Sequence, residues 1–286
     1  MGETEAEPAS FFDSLEMVEG AVKTPYLMTI YGIAGSGKSN LAKYAEDPFF
    51  IPMEDGALGI SGAKKFPKIA ENIDQVFDMV KWVVRNKAAK TIVFDSLGAF
   101  QDMAYIQTIK ENPTTGSSDN PKIVKCIQDY DYHGGYGLAM KHWNRLFSTV
   151  RILHKKGINV IFICHSQLKN EKSVTGESFK KIGMNVQNPN NGDAQGLIQR
   201  ESHHVLFMEV SEQTEKLGTG NRARLVPKAG RPDIMVHVRP NNAFFAKVRE
   251  KEAGSLPSFF MINSRDQSTY DQSSKALMDA VINAAV

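Results

Sequence analysis

The 286-residue chain is 42% hydrophobic and 23% charged, the balance of an ordinary globular protein, and it lacks a stretch approaching the ~20 apolar residues of a membrane span. Its net charge of +2 hides an asymmetry: Glu3, Glu5, Glu7, Asp13, Glu16 and Glu19 precede the first basic residue, Lys23, and without them 34 basic residues face 26 acidic ones, a net +8. That pattern suits a polyanionic partner and equally a solubilising leader on an unremarkable domain. Two cysteines, Cys126 and Cys164, make no disulfide framework, and the start lacks the basic and apolar segments of a signal peptide, so the expected compartment is the reducing cytoplasm.

Residues 1–22 read as a flexible acidic leader in which Phe11, Phe12 and Leu15 are apolar points. From Tyr26 an apolar run leads into Gly32-Ile33-Ala34-Gly35-Ser36-Gly37-Lys38-Ser39, a complete G-x-x-x-x-G-K-[ST] loop, and helical Asn40–Ala45 leaves it. A strand, a glycine-rich turn and a helix start in that order aim a set of backbone N–H groups at an anion. Lys38 is placed to reach the β- and γ-phosphates of a nucleoside triphosphate, and the Ser39 hydroxyl to ligate Mg²⁺.

Next, Phe49–Met53 forms a short apolar run ending in Glu54-Asp55-Gly56, and Ile73, Val76, Phe77, Val80 and Val84 recur at helical spacing. Thr91–Phe94 reads as a buried strand with Asp95 at its end, the pattern of an acid holding the Mg²⁺ shell. Residues 108–135 show little periodicity. A helix then carries Ala139, Trp143, Leu146, Phe147, Val150 and Leu153 on one face and stops at Lys155-Lys156-Gly157, before a strand over Ile158–Cys164. Alternating strands and helices predict an α/β fold with a mainly parallel sheet flanked by helices. Residues 168–198 are polar and, like 108–135, read as a long loop, a type that is functional or disordered within a compact domain. His203–Val210, Arg222–Val226 and Ile234–Val238 alternate like strands of an antiparallel extension near the C-terminus. Residues 265–275 read as polar turns before a short helix over Ala276–Ala284, dividing the chain into leader (1–22), main domain (23–264) and tail (265–286).

Hydrolysis of a bound triphosphate needs a group that orients or deprotonates water. Ser96 follows Asp95, so an acid directly after the strand-end Asp is absent. Glu54 is the candidate, with Asp55 as rival and a plain acidic turn before Gly56 as the structural alternative. At the next strand's end stands His165-Ser166-Gln167. Gln167 is preferred there as a γ-phosphate sensor, because its amide exchanges partners without a change of charge; a strand-end hydrogen bond is the alternative.

The loop at 32–39, the displaced acid Glu54, Thr91–Ser96 and the strand ending in Gln167 together resemble the RecA/RadA ATPase core. Glu54–Gly56, Gly134-Gly135-Tyr136-Gly137 and Asn159–Gln167 are similar to phage-encoded, stand-alone RecA-like proteins of single-strand annealing and recombination. The resemblance covers roughly residues 24–230. It implies ATP with Mg²⁺, assembly into a ring or filament, and single-stranded DNA held by two loops, which by position are 108–135 and 168–198. In the second, Lys169, Lys172, Phe179, Lys180 and Lys181 mix charge and π-surface, although Glu171, Glu177 and Asp193 partly cancel the lysines. It further implies host cytoplasm, a phage single-strand-binding protein as a possible partner, and a basic residue donated by a neighbouring subunit, for which Lys228 and Arg231 are candidates. No Phe-x-x-Ala polymerisation motif stands in the leader. A nucleotide-gated protein-binding module with little hydrolysis, and a replicative helicase motor on the same core, are the competing functions.

Overall fold

The structure, a computed structural model, describes residues 24–117, 119–172, 176–188, 192–211, 214–217, 224–227, 232–264 and 266–284. The acidic leader and both basic candidates, Lys228 and Arg231, lie outside them.

A nine-stranded sheet organises the described residues. Its parallel part runs, edge to centre, from β3 (Lys64–Lys65) through β2 (Pro48–Pro52), β4 (Thr91–Asp95), β7 (Asn159–Lys172) and β1 (Leu27–Gly32) to β9 (His204–Val210). Antiparallel β12 (Ile234–His237) and β13 (Phe259–Ile262) extend the far edge, and β8 (Ser178–Met184) pairs with the outer half of β7. The expected α/β architecture with its antiparallel extension is therefore present. Two of the expected extension strands differ: β9 pairs in parallel with β1 and belongs to the core sheet, and among the described residues β11 (Arg224–Pro227) pairs only with β10 (Thr214–Leu217), as an antiparallel ribbon apart from the main sheet.

The strands at the centre are apolar on both faces because helices cover both. On one face Leu27, Phe94 and Phe162 pack with residues of α3 (Ile73–Arg85), α4 (Leu97–Glu111) and α5 (Gly134–Lys155), around fully buried Trp143. On the other, Met28, Ile30, Phe50, Val93, Ile161 and Ile163 pack under α1 (Lys38–Ala42) and α7 (Gln267–Ala284). The α3 start is fixed by Asn72, whose side chain accepts from the Gln75 N–H at 3.0 Å.

Three segments depart from the sequence reading. Residues 108–135 are not a structureless loop: α4 runs to Glu111, a hairpin of β5 (Thr114–Ser117) and β6 (Asn120–Ile123) follows, and Gly134-Gly135 open α5. Likewise β7 continues past Cys164 to Lys172 and turns back as β8, with α6 (Ala194–Glu201) following. Beyond the sheet this ribbon no longer needs apolar residues on both faces, so its polar composition mimics a loop. Finally α7 starts at Gln267 rather than Ala276 and is no tail, since Leu277, Met278 and Val281 are buried in the core.

Candidate active site

Strand alternation sets the site. Phe50, Val93 and Ile163 face α1, so continuing each strand with period two places Glu54, Asp95 and His165 on the same side, around the phosphate loop. The ends of β2 and β4 are held level by the Met53 N–H, which donates to the Asp95 carbonyl at 2.7 Å.

The loop itself demands its glycines. A Cβ on Gly32 would sit 2.3 Å from the Met208 carbonyl oxygen of β9, and Gly37 has φ +81°, in the left-handed region. Lys38 Nζ donates to the Gly32 and Ile33 carbonyls at 3.1 and 2.7 Å, lying across the loop it would share with a triphosphate. Burial lowers the Lys38 pKa, while Asp95 and Glu54 oppose that shift.

Ser39 Oγ donates to Asp95 Oδ2 at 2.7 Å. Asp95 is 1% exposed, and burial pushes its carboxyl up to about 6 against the opposing Ser39 hydrogen bond. A buried carboxylate beside a hydroxyl is the oxygen donor pair that Mg²⁺ takes when a nucleotide and water supply its other ligands. Among the described residues no group of three His, Cys, Asp or Glu forms a self-sufficient metal site.

Glu54 caps the short helix α2 (Asp55–Leu58) in extended conformation. Its Oε2 accepts from Ser96 Oγ at 2.7 Å and its Oε1 lies 3.6 Å from His165 Nε2. The His165 contact first, and Ser96 second, hold the Glu54 carboxyl below the usual carboxylate range against partial burial. Its rival Asp55 is exposed one residue further on. Glu54 is thus oriented as a carboxylate, the form that can accept a proton from water.

The sensor assignment changes. His165, level with Gly32 in the β1–β7 register, is the β7 residue at the site. Gln167 lies two residues further out, where the strand continues, and its Nε2 donates to the Met184 carbonyl of β8 at 3.3 Å. Its position follows from the unexpected length of β7. Ser96 was also missed as a participant; its place immediately after Asp95 was the available signal.

The DNA-contact candidates separate. Lys169 stands opposite Lys181 and Phe179 lies two residues from Lys181, so these share one ribbon face, while Lys180 takes the other. Lys169 is engaged in the fold: its Nζ donates to Gln195 Oε1 at 2.6 Å and to the Val186 carbonyl at 3.2 Å. Gly183, the β8 partner of Gln167, makes room for this lysine, because a Cβ there would meet Gln195 Oε1 at 2.9 Å and the Lys169 stem at 3.1 Å. Lys180 is exposed and Phe179 is 39% exposed. Lys172 pairs with Ser178 through its backbone; its side chain lies outside the described atoms.

A phosphate loop on β1, an acid on β4, and a strand between them whose end reaches the same pocket define a P-loop ATPase domain. The chain belongs to the AAA_24 family, an AAA domain that matches residues 24–250. No curated protein matches it. Among solved structures it is similar to a KaiC-like protein from the hyperthermophilic archaeon Pyrococcus horikoshii OT3, at 13% identity and a TM-score of 0.39, covering 88% of this chain and 91% of that one. Among the described residues, no helix is long and apolar enough to cross a membrane.

Proposed function

We propose that this ATPase domain is a Mg²⁺-dependent, DNA-stimulated ATPase of the recombinase type. In this reading it holds single-stranded DNA for annealing or recombination, in an assembly of identical subunits and in the cytoplasm of a phage-infected host. The observation that carries the catalytic half is the Glu54 carboxylate fixed between Ser96 and His165 beside the Ser39–Asp95 pair. Mg²⁺, when bound, would neutralise charge developing on the phosphates. Ser39 and Asp95 would hold it, the loop N–H groups and Lys38 would hold the triphosphate, and Glu54 would take the proton of an attacking water. His165, touching Glu54 from the strand that continues into the β7–β8 ribbon, is the group through which occupancy of the ribbon is felt at the site.

The DNA half is supported by exposed Lys180 and Phe179 on a ribbon continuous with the catalytic strand. Steady-state ATP turnover with and without a single-stranded oligonucleotide tests the reading, together with the assembly mass under the same conditions. Turnover that rises several-fold with DNA, in an oligomer, is expected. A monomer under every condition, with turnover indifferent to DNA, would contradict it.

A further inference from the structure

A cleft of about 790 Å³ lies between the β7–β8 ribbon and helices α4 and α5, adjoining the catalytic strand but lined by none of the catalytic residues. Its volume is that of a small-ligand pocket. Its chemistry is unlike that of the phosphate loop. The wall is carboxamide and aromatic, and its one ammonium group, Lys169, already donates to Gln195 and to the Val186 carbonyl.

Gln187 is the telling residue. It is 6% exposed, and its Nε2 donates to the Tyr136 and Gly192 carbonyls at 3.1 and 2.9 Å. Those bonds fix which end of the amide is which. Its Oε1 is buried and has no hydrogen-bond partner among the described residues, an arrangement that costs free energy unless a donor arrives. The Gln187 backbone N–H donates to Gln101 Oε1 at 2.5 Å. Gln101 therefore commits its carbonyl to the wall and keeps its amide N–H groups. The cleft residues thus offer an unsatisfied acceptor, Gln187 Oε1, and an uncommitted donor, the Gln101 amide, the complement of the donor and acceptor carried on the edge of a nucleobase. Tyr105 and Tyr136, packed edge to face at 5.9 Å, supply aromatic surface in the same cleft.

We infer that this cleft is a pocket for one unstacked base of the bound strand, read by Gln101 and Gln187 and stacked on Tyr105 or Tyr136. The inference rests on the single-stranded DNA reading above and adds base recognition to it. Backbone phosphates have no uncommitted ammonium to meet inside the cleft, so they run outside it.

The test uses the full chain with Mg²⁺ and a non-hydrolysable ATP analogue, and two probes of equal length: a base-bearing oligonucleotide and its fully abasic counterpart. Wild type should bind the base-bearing strand about tenfold or more tighter, the scale of one stacked and hydrogen-bonded base. Gln101→Glu keeps the acceptor for the Gln187 N–H but replaces the open donor, and should bring that ratio toward one. Any added charge repulsion weakens both probes equally and cancels in the ratio. Tyr105→Ala should also lower the ratio, whereas Lys180→Glu should weaken both probes and leave it unchanged. Equal wild-type affinity for the two probes, or an unchanged ratio in both Gln101→Glu and Tyr105→Ala, would overturn the pocket while leaving DNA binding intact. Failure of wild type to bind either probe would overturn the DNA reading itself.

Discussion

The phosphate loop and the amide cleft both lie beyond the C-terminal ends of the parallel strands, yet they are built on opposite principles. The loop is backbone: Gly32 is required by a close approach to Met208, Gly37 by its positive φ, and charge is concentrated on Lys38, Asp95 and Glu54. The cleft is side chain: mainly neutral amides and phenols drawn from α4, α5, β7 and the segment after β8, with Lys169 and His133 as its ionisable members. A backbone cradle suits a ligand whose shape and charge never vary, such as a triphosphate. Side-chain amides suit a ligand recognised by its edge. β7 touches both, His165 at one and Gln167 with Lys169 at the other.

The largest effect expected at the charged end comes from Lys38→Ala, which removes a buried ammonium 5% exposed and should weaken nucleotide binding by about 100-fold. Isothermal titration with the ATP analogue measures it; retained affinity would place the triphosphate elsewhere. The two ends are separated by a pair of substitutions on one strand. His165→Ala frees Glu54 from its main restraint, lets its carboxyl pKa rise back toward the usual range, and should lower turnover roughly tenfold. Gln167→Ala, facing the cleft, should change basal turnover less than about threefold and act mainly on DNA-stimulated turnover. The reverse ranking would restore Gln167 as the phosphate-side residue.

A smaller effect, outside both sites, comes from the start of β9. Burial, reinforced by neighbouring positive charge, lowers His203 to about 4 and His204 to about 3, and both His204 nitrogens are buried without partners among the described residues. Below the ordinary histidine pKa the unfolded chain takes up protons that the folded chain refuses, so stability falls as pH drops from 7 toward 4. For His204 alone that loss reaches about 2 kcal/mol at pH 5. His204→Phe should flatten the fall in melting temperature between pH 7 and 5 while leaving turnover and DNA affinity at neutral pH unchanged. An unaltered pH profile would mean that His204 is not the group responsible.

The two regions also differ in how far the sequence reveals them. Residues 32–39, Asp95 and Glu54 are legible because each follows a local rule: a fixed spacing, or a place at or just past the end of an apolar strand. The parallel α/β core is legible for the same reason, since runs such as Thr91–Phe94 and Ile158–Cys164 are apolar on both faces. The cleft follows no such rule. Gln101, Tyr105, Tyr136 and Gln187 are far apart in the chain and meet only through the topology, and amides carry no spacing signature. The ribbon was hidden by composition, because β7 and β8 leave the sheet and shed the apolar pattern that marks a strand. The exchange of Gln167 for His165 follows directly, since a strand taken to end near residue 167 continues to Lys172.

The account turns on Glu54 as the group that activates water. The direct test compares wild type and Glu54→Gln at saturating Mg²⁺ and ATP, measuring nucleotide affinity and single-turnover hydrolysis on the same preparations. Glutamine preserves an acceptor for Ser96 but cannot take a proton at neutral pH, so affinity should stay within about threefold and hydrolysis should fall by at least about 100-fold. Hydrolysis at the wild-type rate in Glu54→Gln would contradict the account.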